Sequence, residues 1–511
     1  HSQDVADRDQ ARQRRFGVAP SLALGMGTPT RLTASYFEQS ASDVPDYGIP
    51  WVGTRPADVP RNTFYGFSSD SLKTDAHVAT VKLEHDVTDA ITVRDTARYA
   101  HYARNFRISE PVITQPVSTP LDQQMVGFNE WSGDSTETMA WNQLEGVAHF
   151  ATGPVQHAVV AGVEGGRETS DPTFDNSTGL ATVSLLNPDT SRLFNATATF
   201  PRLAANTTAW SVAPYAIETA SIEHWEASAG IRYDYFKSHY TADRYSTMNL
   251  GAIDSKDDVE RTDKAPSYRA ALVYKPEIPG ANSSIYVAAG TSFNPSAETL
   301  SQITSGRSLG VSNKDLAPEK NRSYEFGTKW DVLDNQLTLT GAFFRITKEN
   351  ARVADVNNPG FNILAGEQRV DGFSAGATGH ILPAWQVSAA YTYLDGEVTE
   401  SVMGTAPVGS PLPNTPKSTF AAFTSYRVGR YEVGAGTQHT SGRYAQNTAP
   451  LRAVPGYTTF DAMARGMLSK KLALQLNVVN LTDVRYYDQL HPFHVVPGAG
   501  RTALLSLDVA Y

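Results

Sequence analysis

Residues 225–235 read WEASAGIRYDY, and this stretch decides the fold. Its odd-numbered residues are apolar or aromatic, whereas its even-numbered residues are small, polar or charged and include Arg232 and Asp234. Successive side chains of a β-strand point to opposite faces, so the alternation predicts a strand with one apolar and one polar face. The same pattern recurs at residues 385–393 and 471–478. The sequence therefore predicts an all-β fold.

The composition excludes several classes of protein. The chain has 511 residues, no cysteine, a formal net charge of −10 and a mean hydropathy of −0.33. It contains no run of roughly 18 apolar residues, which a transmembrane helix requires. Disulfide scaffolds and cysteine-ligated zinc modules need thiols. A pI near 5.7 argues against a nucleic-acid binder. The content of 23 Tyr, 21 Phe and 7 Trp argues against disorder.

Short and long connections alternate strictly along the chain. Short turns are predicted at residues 27–30, 86–90, 152–156, 221–224, 276–283, 333–336, 382–384, 428–430 and 469–471. Long polar connections are predicted at residues 40–72, 106–135, 169–206, 241–262, 294–319, 349–367, 396–416, 442–453 and 488–497. Long loops are exceptional in compact soluble domains. The alternation is typical of an up-and-down antiparallel barrel that spans an outer membrane, with short periplasmic turns and long extracellular loops.

The C-terminal residues support the same interpretation. Residues 502–511 read TALLSLDVAY, which alternates with period two and ends on an aromatic residue. Bacterial outer-membrane barrels end in this way, although a terminal strand of a soluble sheet is an alternative. The polar residues repeated on one strand face suit a water-filled lumen, whereas a soluble two-layer sandwich would also alternate.

The predicted strand count indicates a large barrel. We predict about nineteen strands of roughly 14–17 residues, longer than the 9–11 that cross a bilayer. Tyr511 is expected at the periplasmic end, and residues 1–13 outside the cell. Single-chain bacterial barrels have even strand numbers, so the count predicts an N-terminally truncated barrel. The acidic run at residues 254–263 is expected to be a solvated loop, with a calcium site as a minor alternative.

Several stretches resemble one known family. They include RVDGFSAGATGHILPAWQVSAAYTYLDG at residues 369–396 and LQLNVVNLTDVRYYDQL at residues 474–490. Residues 316–350 and 412–426 are similar to the same family, which is that of the TonB-dependent siderophore receptors. Residues 14–50 resemble its catecholate receptor subgroup.

The resemblance implies a receptor that imports ferric siderophores across the bacterial outer membrane. The family barrel has 22 strands, preceded by a plug domain and a box that pairs with TonB. Nothing in residues 1–511 corresponds to either, so we expect a single barrel domain that lacks the plug and about three strands. Implied partners are a ferric siderophore, the TonB complex through the missing N-terminal region, outer-membrane lipid and lipopolysaccharide. The protein is expected to be a monomer that binds no nucleic acid.

A ferric catecholate is an aromatic anion, so its site needs cationic donors and aromatic faces at the outer mouth. The candidate ligand-binding residues are Tyr47, Trp51, Arg104, Arg107, Trp131, Arg352, Arg443, Tyr444, His491 and His494. Arg55, Arg61, Arg192 and Arg202 are further loop cations. The siderophore is expected to hold the iron, so no protein cofactor and no protein metal site are predicted. Histidines 491 and 494 are spaced i, i+3 in a proline-containing loop, which is a weak metal signal.

Two other functions remain open. The first is a plug-free passive porin, in which solutes would diffuse without TonB. The second is a secreted all-β enzyme that acts on polysaccharide with paired carboxylates. The sequence has no G-x-S-x-G, H-E-x-x-H or P-loop motif. We therefore expect no enzyme activity and assign no catalytic residue.

Overall fold

The computed structural model describes residues 2–295, 316–354 and 362–509. Regular structure in these residues is almost entirely β, apart from a short 3₁₀ helix at Leu121–Gln123. Within the described ranges, no helix is both long enough and apolar enough to cross a membrane. The final residue of the predicted terminal strand, Tyr511, lies outside the described residues.

The strands are numbered in chain order. They are β1 Ser2–Asp4, β2 Arg12–Val18, β3 Ser21–Leu24, β4 Thr30–Asp43, β5 Ile49–Val52, β6 Arg55–Pro56, β7 Ser71–Thr88, β8 Ile91–Ile113, β9 Met125–Thr152, β10 Val155–Thr178, β11 Val183–Ser184, β12 Ala198–Ile222, β13 Trp225–Tyr245, β14 Ile253–Tyr274 and β15 Glu277–Ile278. The remainder are β16 Ala281–Asn294, β17 Glu319–Val332, β18 Leu337–Ala354, β19 Asn362–Leu382, β20 Trp385–Glu400, β21 Ser418–Val428, β22 Tyr431–Thr440, β23 Arg443–Tyr444, β24 Ala453–Val454, β25 Tyr457–Ser469, β26 Leu472–Val479, β27 Tyr487–Leu490, β28 His494–Pro497 and β29 Thr502–Val509.

One sheet contains 23 of these strand segments. Three of them, β1, β11 and β15, have only two or three residues, and β2 and β3 are two parts of one interrupted strand. The described residues therefore cross the wall nineteen times, as the sequence predicted. Successive crossings from β2 to β29 pair with each other in antiparallel register, which makes an up-and-down meander.

Strand β13 shows how the alternation places apolar residues on the outer face of the sheet and polar residues on the inner face. Its apolar residues face outward, where Ile231 is 61 % exposed, while Asp234 on the other face is 8 % exposed. Arg232 lies on that second face and forms ion pairs with Glu164 at 2.5 Å and Asp234 at 2.7 Å. An apolar face turned outward is stable only where it meets lipid instead of water.

The outward-facing apolar residues of the strands form a band around the barrel, and exposed aromatic residues mark its upper and lower boundaries. Trp225 and Tyr235 are exposed and lie ten residues apart on β13. At about 3.3 Å per residue and a strand tilt of about 40°, they are separated by about 25 Å along the barrel axis. This height matches the apolar band of outer-membrane barrels, whose boundaries carry aromatic girdles.

Replacing Ile231 with lysine tests the lipid-facing band. The residue lies near the middle of the band, where a lysine on the lipid face costs about 2–4 kcal/mol. We expect Ile231→Lys to lower the temperature at which the heat-modifiable electrophoretic band is lost. Ser228→Lys, which places the same charge on the opposite face of β13, is the matched control. An equal effect of both substitutions would contradict the assignment of the faces.

All nine predicted short turns are confirmed. Each of them joins neighbouring strands at one end of the sheet, as between β7 and β8 or between β25 and β26. The long connections lie at the opposite end, which we call the outer end.

Several long connections are shorter than predicted. Residues 106–135 were expected to be loop, but β8 continues to Ile113 and β9 begins at Met125. The acidic run at residues 254–263 was expected to be a solvated loop, and it lies within β14. Above the membrane both faces of a strand can meet water, so the apolar alternation fades while the backbone pairing continues. Most of the predicted connections at 294–319 and 349–367 lies outside the described residues.

The first and last outer connections join in a small sheet, although their strands stand at opposite ends of the meander. Strand β5 pairs with β28, and Trp51 Nε1 donates a hydrogen bond of 2.9 Å to the carbonyl of His491. No backbone pair in the described residues links β29 to β2 or β3. We call residues 44–70 and 480–501 together the outer cap.

Candidate functional site: the outer mouth

The outer cap has its own hydrophobic core. Ile49, Trp51 and Tyr65 from the first connection pack with Leu490 and Val495 from the last. Neighbouring outer segments complete this core through Val126, Leu185, Ala445 and Val454. Burial of these side chains fixes the cap on the outer end of the sheet.

Ion pairs connect the cap to the N-terminal segment. The guanidinium of Arg61 lies 2.7 Å from Asp483 and 3.2 Å from Asp7, so it joins the two halves of the cap. Arg8 is buried and pairs with Asp46 at 2.5 Å. Arg61 is therefore held by carboxylates of this chain.

Four candidate residues meet in the cap. The Tyr47 and His494 rings are 5.3 Å apart, and the His491 and His494 rings stack at 4.5 Å. Trp51, 3 % exposed, lies in the cap core and bonds to the His491 carbonyl. Burial raises the pKa of Tyr47 to about 12 and lowers that of His494 to about 3. Both imidazoles are therefore neutral at physiological pH, since burial also lowers the pKa of His491.

Glu110 on β8 reaches the two histidines. Its carboxylate oxygen and one ring nitrogen from each of His491 and His494 all lie within 4.8 Å of one another. Burial raises the pKa of the Glu110 carboxyl. These three residues offer the donor set of a metal site, two imidazole nitrogens and a carboxylate.

Asp70 is a buried carboxyl at the end of the first cap segment. It is 2 % exposed and accepts hydrogen bonds from the Phe67 N–H at 3.1 Å and the Ser109 hydroxyl at 3.3 Å. Burial raises its pKa to about 7, and the two hydrogen bonds and the Arg107 charge only partly offset this effect. Asp70 therefore titrates near physiological pH.

Two arginines lie over phenylalanine rings next to this carboxyl. The Arg192 guanidinium carbon is 4.2 Å from the Phe67 ring centre and 4.3 Å from that of Phe128. Arg107 lies 4.2 Å above Phe194. Such stacking holds a cation in place while it retains its charge. Burial lowers the pKa of Arg192 to about 10, which still leaves it charged.

Arg104 and Trp131 lie on the outer extensions of β8 and β9. Arg104 donates to the Ser135 hydroxyl at 3.2 Å and stands 4.9 Å above the Phe106 ring. The guanidinium of Arg202 lies 4.8 Å above Trp131. Both candidates were expected in or beside the loop at 106–135, and the structure places them on strands.

The remaining candidates lie partly in the cap and partly away from it. Arg443 is 7 % exposed and donates hydrogen bonds to the carbonyls of Tyr487 and Asp488, so its side chain stabilises the cap. Its neighbour Tyr444 is exposed. Arg352 donates to the Pro295 carbonyl, and its backbone N–H bonds to Glu319, so its recorded contacts lie away from the cap. Arg55 is exposed on β6. Trp51 and Arg443, predicted to bind ligand, have their side chains engaged in packing.

The sequence matches the family described as "TonB dependent receptor-like, beta-barrel" over residues 19–481. The chain belongs to this TonB-dependent receptor family. The family assignment, the barrel fold and the bacterial outer-membrane location predicted from the sequence are thereby confirmed.

Named relatives of this TonB-dependent receptor share nearly its whole length. It is 32 % identical to the "Probable TonB-dependent siderophore receptor PiuA" of Acinetobacter baumannii, with 98 % of this chain and 70 % of PiuA aligned. It is 29 % identical to the "Catecholate siderophore receptor Fiu" of Escherichia coli, with 99 % of this chain and 71 % of Fiu aligned. The crystal structure of A. baumannii PiuA superposes with a TM-score of 0.90 at 30 % identity, covering all of this chain and 76 % of that structure.

Sequence reasoning missed the carboxyls and phenylalanines of the mouth. Asp70, Glu110 and Glu130 were not singled out, because carboxylates are common in an acidic chain. Glu110 is 381 positions from His491, so no local spacing could pair them. The Phe67 and Phe128 rings beside Arg192 are also distant from it in sequence, by 125 and 64 positions.

Proposed function

We propose that this TonB-dependent receptor binds ferric siderophores of the catecholate class at its outer mouth. The observation that carries the proposal is the convergence of cations and aromatic rings at one end of the barrel. Arg104 lies over the Phe106 ring, Arg107 lies over the Phe194 ring, and the Tyr47 ring packs against that of His494. Catechol rings can stack on aromatic faces, and guanidinium groups bind the anionic oxygens. The name of Fiu, a catecholate siderophore receptor, supports the same ligand class, and that of PiuA supports a siderophore.

The local charge can also accommodate an anion. Glu130 lies 3.9 Å from Arg107, and burial raises the pKa of Asp70, Glu110 and Glu130. The pKa of Asp70 rises to about 7, so part of its negative charge is neutralised at physiological pH, while Arg107 and Arg192 are held over phenylalanine rings. An anion can therefore approach these two guanidinium groups with less repulsion from Asp70.

We assign ligand contact to the candidates whose side chains are at least partly accessible, namely Tyr47, Arg104, Arg107, Trp131, Tyr444 and His491. Trp51 and Arg443 act by holding the cap in place. Arg352 is assigned to the part of the mouth beside β17. The iron remains coordinated by the siderophore, so the protein needs no cofactor to bind it.

Replacing Arg104 tests the proposed site. We expect Arg104→Ala to weaken binding of a ferric catecholate about tenfold or more, since a charge-assisted contact contributes about 1.5–3 kcal/mol. Quenching of tryptophan fluorescence in detergent-solubilised protein measures the affinity. Arg104→Lys retains the charge but not the planar fork, and an intermediate affinity is expected.

The control variant is Arg427→Ala, at the end of the sheet that carries the short turns. It is expected to bind the ferric catecholate like the wild type. Ferrichrome, whose iron is held by hydroxamates, should bind more weakly than the catecholate. Tighter binding of ferrichrome, or unchanged affinity in Arg104→Ala, would contradict the proposed specificity or site.

A further inference from the structure

Glu110, His491 and His494 converge from distant parts of the chain. Glu110 is on β8 of the barrel wall, His494 begins β28, and His491 lies in the turn just before it. Their donor atoms lie within 4.8 Å of one another. A tetrahedral ion with bonds near 2 Å holds its ligands about 3.3 Å apart. His491 is stacked on His494 with ring centres 4.5 Å apart, so its ring must turn, and the Glu110 carboxylate must move inward, to complete such a site.

An unpartnered nitrogen points to a missing ligand. His494 is 6 % exposed, and its Nδ1 is buried without a hydrogen-bond partner in the described residues. Buried polar atoms are nearly always paired, because leaving one unpaired costs free energy. A neutral imidazole nitrogen with a free electron pair can be satisfied by a cation as well as by a hydrogen bond.

The backbone around the histidines is already fixed. His494 pairs with Pro50 across β28 and β5, and the His491 N–H donates to the His494 carbonyl at 3.0 Å. Trp51 holds the His491 carbonyl at 2.9 Å, and Tyr47 packs against the His494 ring. Such supporting contacts orient metal ligands and reduce the entropy lost when the ion binds.

We propose that Glu110, His491 and His494 bind a divalent transition-metal ion of the Zn²⁺ class and so fasten the last outer connection to the barrel wall. Two imidazoles and one carboxylate suit a borderline-soft ion such as Zn²⁺ and leave a fourth position open. Catecholate oxygens satisfy ferric iron within the siderophore, so this site is distinct from the transported iron. The site requires only this chain's own residues. Because His491 is also among the proposed siderophore contacts, the metal site is tested with Zn²⁺ alone, without siderophore.

The bound ion joins elements that otherwise meet through side-chain packing. Strand β8 contributes one ligand, and the segment between β27 and β29 contributes two. The ion therefore restrains the cap against the wall beside Tyr47, whose ring packs against His494. Occupancy of the site is expected to slow opening of the cap.

Calorimetric titration of Zn²⁺ into the chelator-treated protein tests the proposal. The protein is prepared in detergent without a histidine tag. We expect one saturable Zn²⁺ per chain, with affinity reduced about tenfold or more in Glu110→Gln and in His491→Ala. Zn²⁺ should also slow amide hydrogen exchange in residues 487–497 of the wild type but not of either variant.

His101→Ala is the matched control, because His101 and His77 form another stacked histidine pair, with ring centres 6.4 Å apart. This variant should bind Zn²⁺ like the wild type. Two results would overturn the proposal: absence of a saturable site with one ion per chain, or a site that both Glu110→Gln and His491→Ala leave unchanged. The exchange pattern in metal-free protein verifies that each variant retains the cap.

Discussion

Trp51→Ala is expected to open the outer cap while the barrel remains folded. The indole is 3 % exposed in the cap core, and its N–H bonds to a carbonyl 440 positions away along the chain. Truncating a buried aromatic side chain to alanine costs about 3–5 kcal/mol. The barrel is held by separate antiparallel pairs, so the loss should be confined to the cap. We expect amide exchange in residues 44–60 and 484–497 to accelerate by about a hundredfold or more.

Two controls separate packing from hydrogen bonding at this position. Trp51→Phe retains much of the buried ring and removes the N–H donor, so a smaller acceleration is expected, equivalent to about 1–2 kcal/mol. Trp385→Ala removes a partly exposed indole at the short-turn end and should leave cap exchange unchanged. Normal cap exchange in Trp51→Ala would show that Trp51 does not hold the two connections together.

Asp70→Asn is expected to remove a pH dependence of cap stability. The folded-state pKa of about 7 lies above the ordinary value of 3.8, so the folded protein binds the proton more tightly than the unfolded chain. Stability from this group is complete below about pH 4 and declines as the pH rises to about 7. The difference between the folded-state and ordinary pKa values of Asp70 corresponds to about 4 kcal/mol.

The surrounding charges set the size of this effect. Arg107 and Arg192 favour the ionised carboxylate, whereas Glu130 disfavours it. Asparagine preserves the size of the side chain and an acceptor for the Phe67 N–H. It cannot ionise, so the variant should match the wild type at pH 4.

The difference in cap stability between Asp70→Asn and wild type is measured by amide hydrogen exchange in residues 62–72. At each pH the exchange rate of the wild type is divided by that of the variant, so that the intrinsic exchange rates cancel. This ratio of rates should be close to one at pH 4 and should show greater protection of the variant at pH 8. Ser109→Ala, which removes one hydrogen bond to the carboxylate, should raise the pKa further and move the wild-type transition to higher pH. A ratio that does not change with pH would contradict a neutral Asp70 in the folded protein.

The barrel wall could be predicted from the sequence because lipid imposes a regular constraint. Each residue of a strand such as β13 meets either lipid or the inner face, and the alternation records this difference. The short turns at residues 152–156 and 469–471 were similarly clear, because they interrupt the alternation with small and polar residues. The outer extensions of β8 and β14 could not be predicted from the alternation, because these parts of the strands lie above the lipid.

The mouth was predictable in composition but not in detail. The sequence indicated that the candidate arginine and aromatic residues lie in the outer segments, but it did not indicate that Trp51 and Arg443 are buried. Burial there depends on the pairing of β5 with β28, which joins the two ends of the chain. The pairing of Glu110 with His494 depends on the same long-range contact.

The central claim is that this protein is a TonB-dependent receptor for ferric catecholates. Uptake of radioactive iron tests it most directly, in iron-starved cells that lack their own catecholate receptors and express the gene encoding this chain, with TonB present or deleted. We predict that iron enters from a ferric catecholate only when TonB is present and that Arg104→Ala reduces this uptake at limiting ligand. Equal uptake without TonB, as a passive porin would give, or no uptake from the catecholate would contradict the claim.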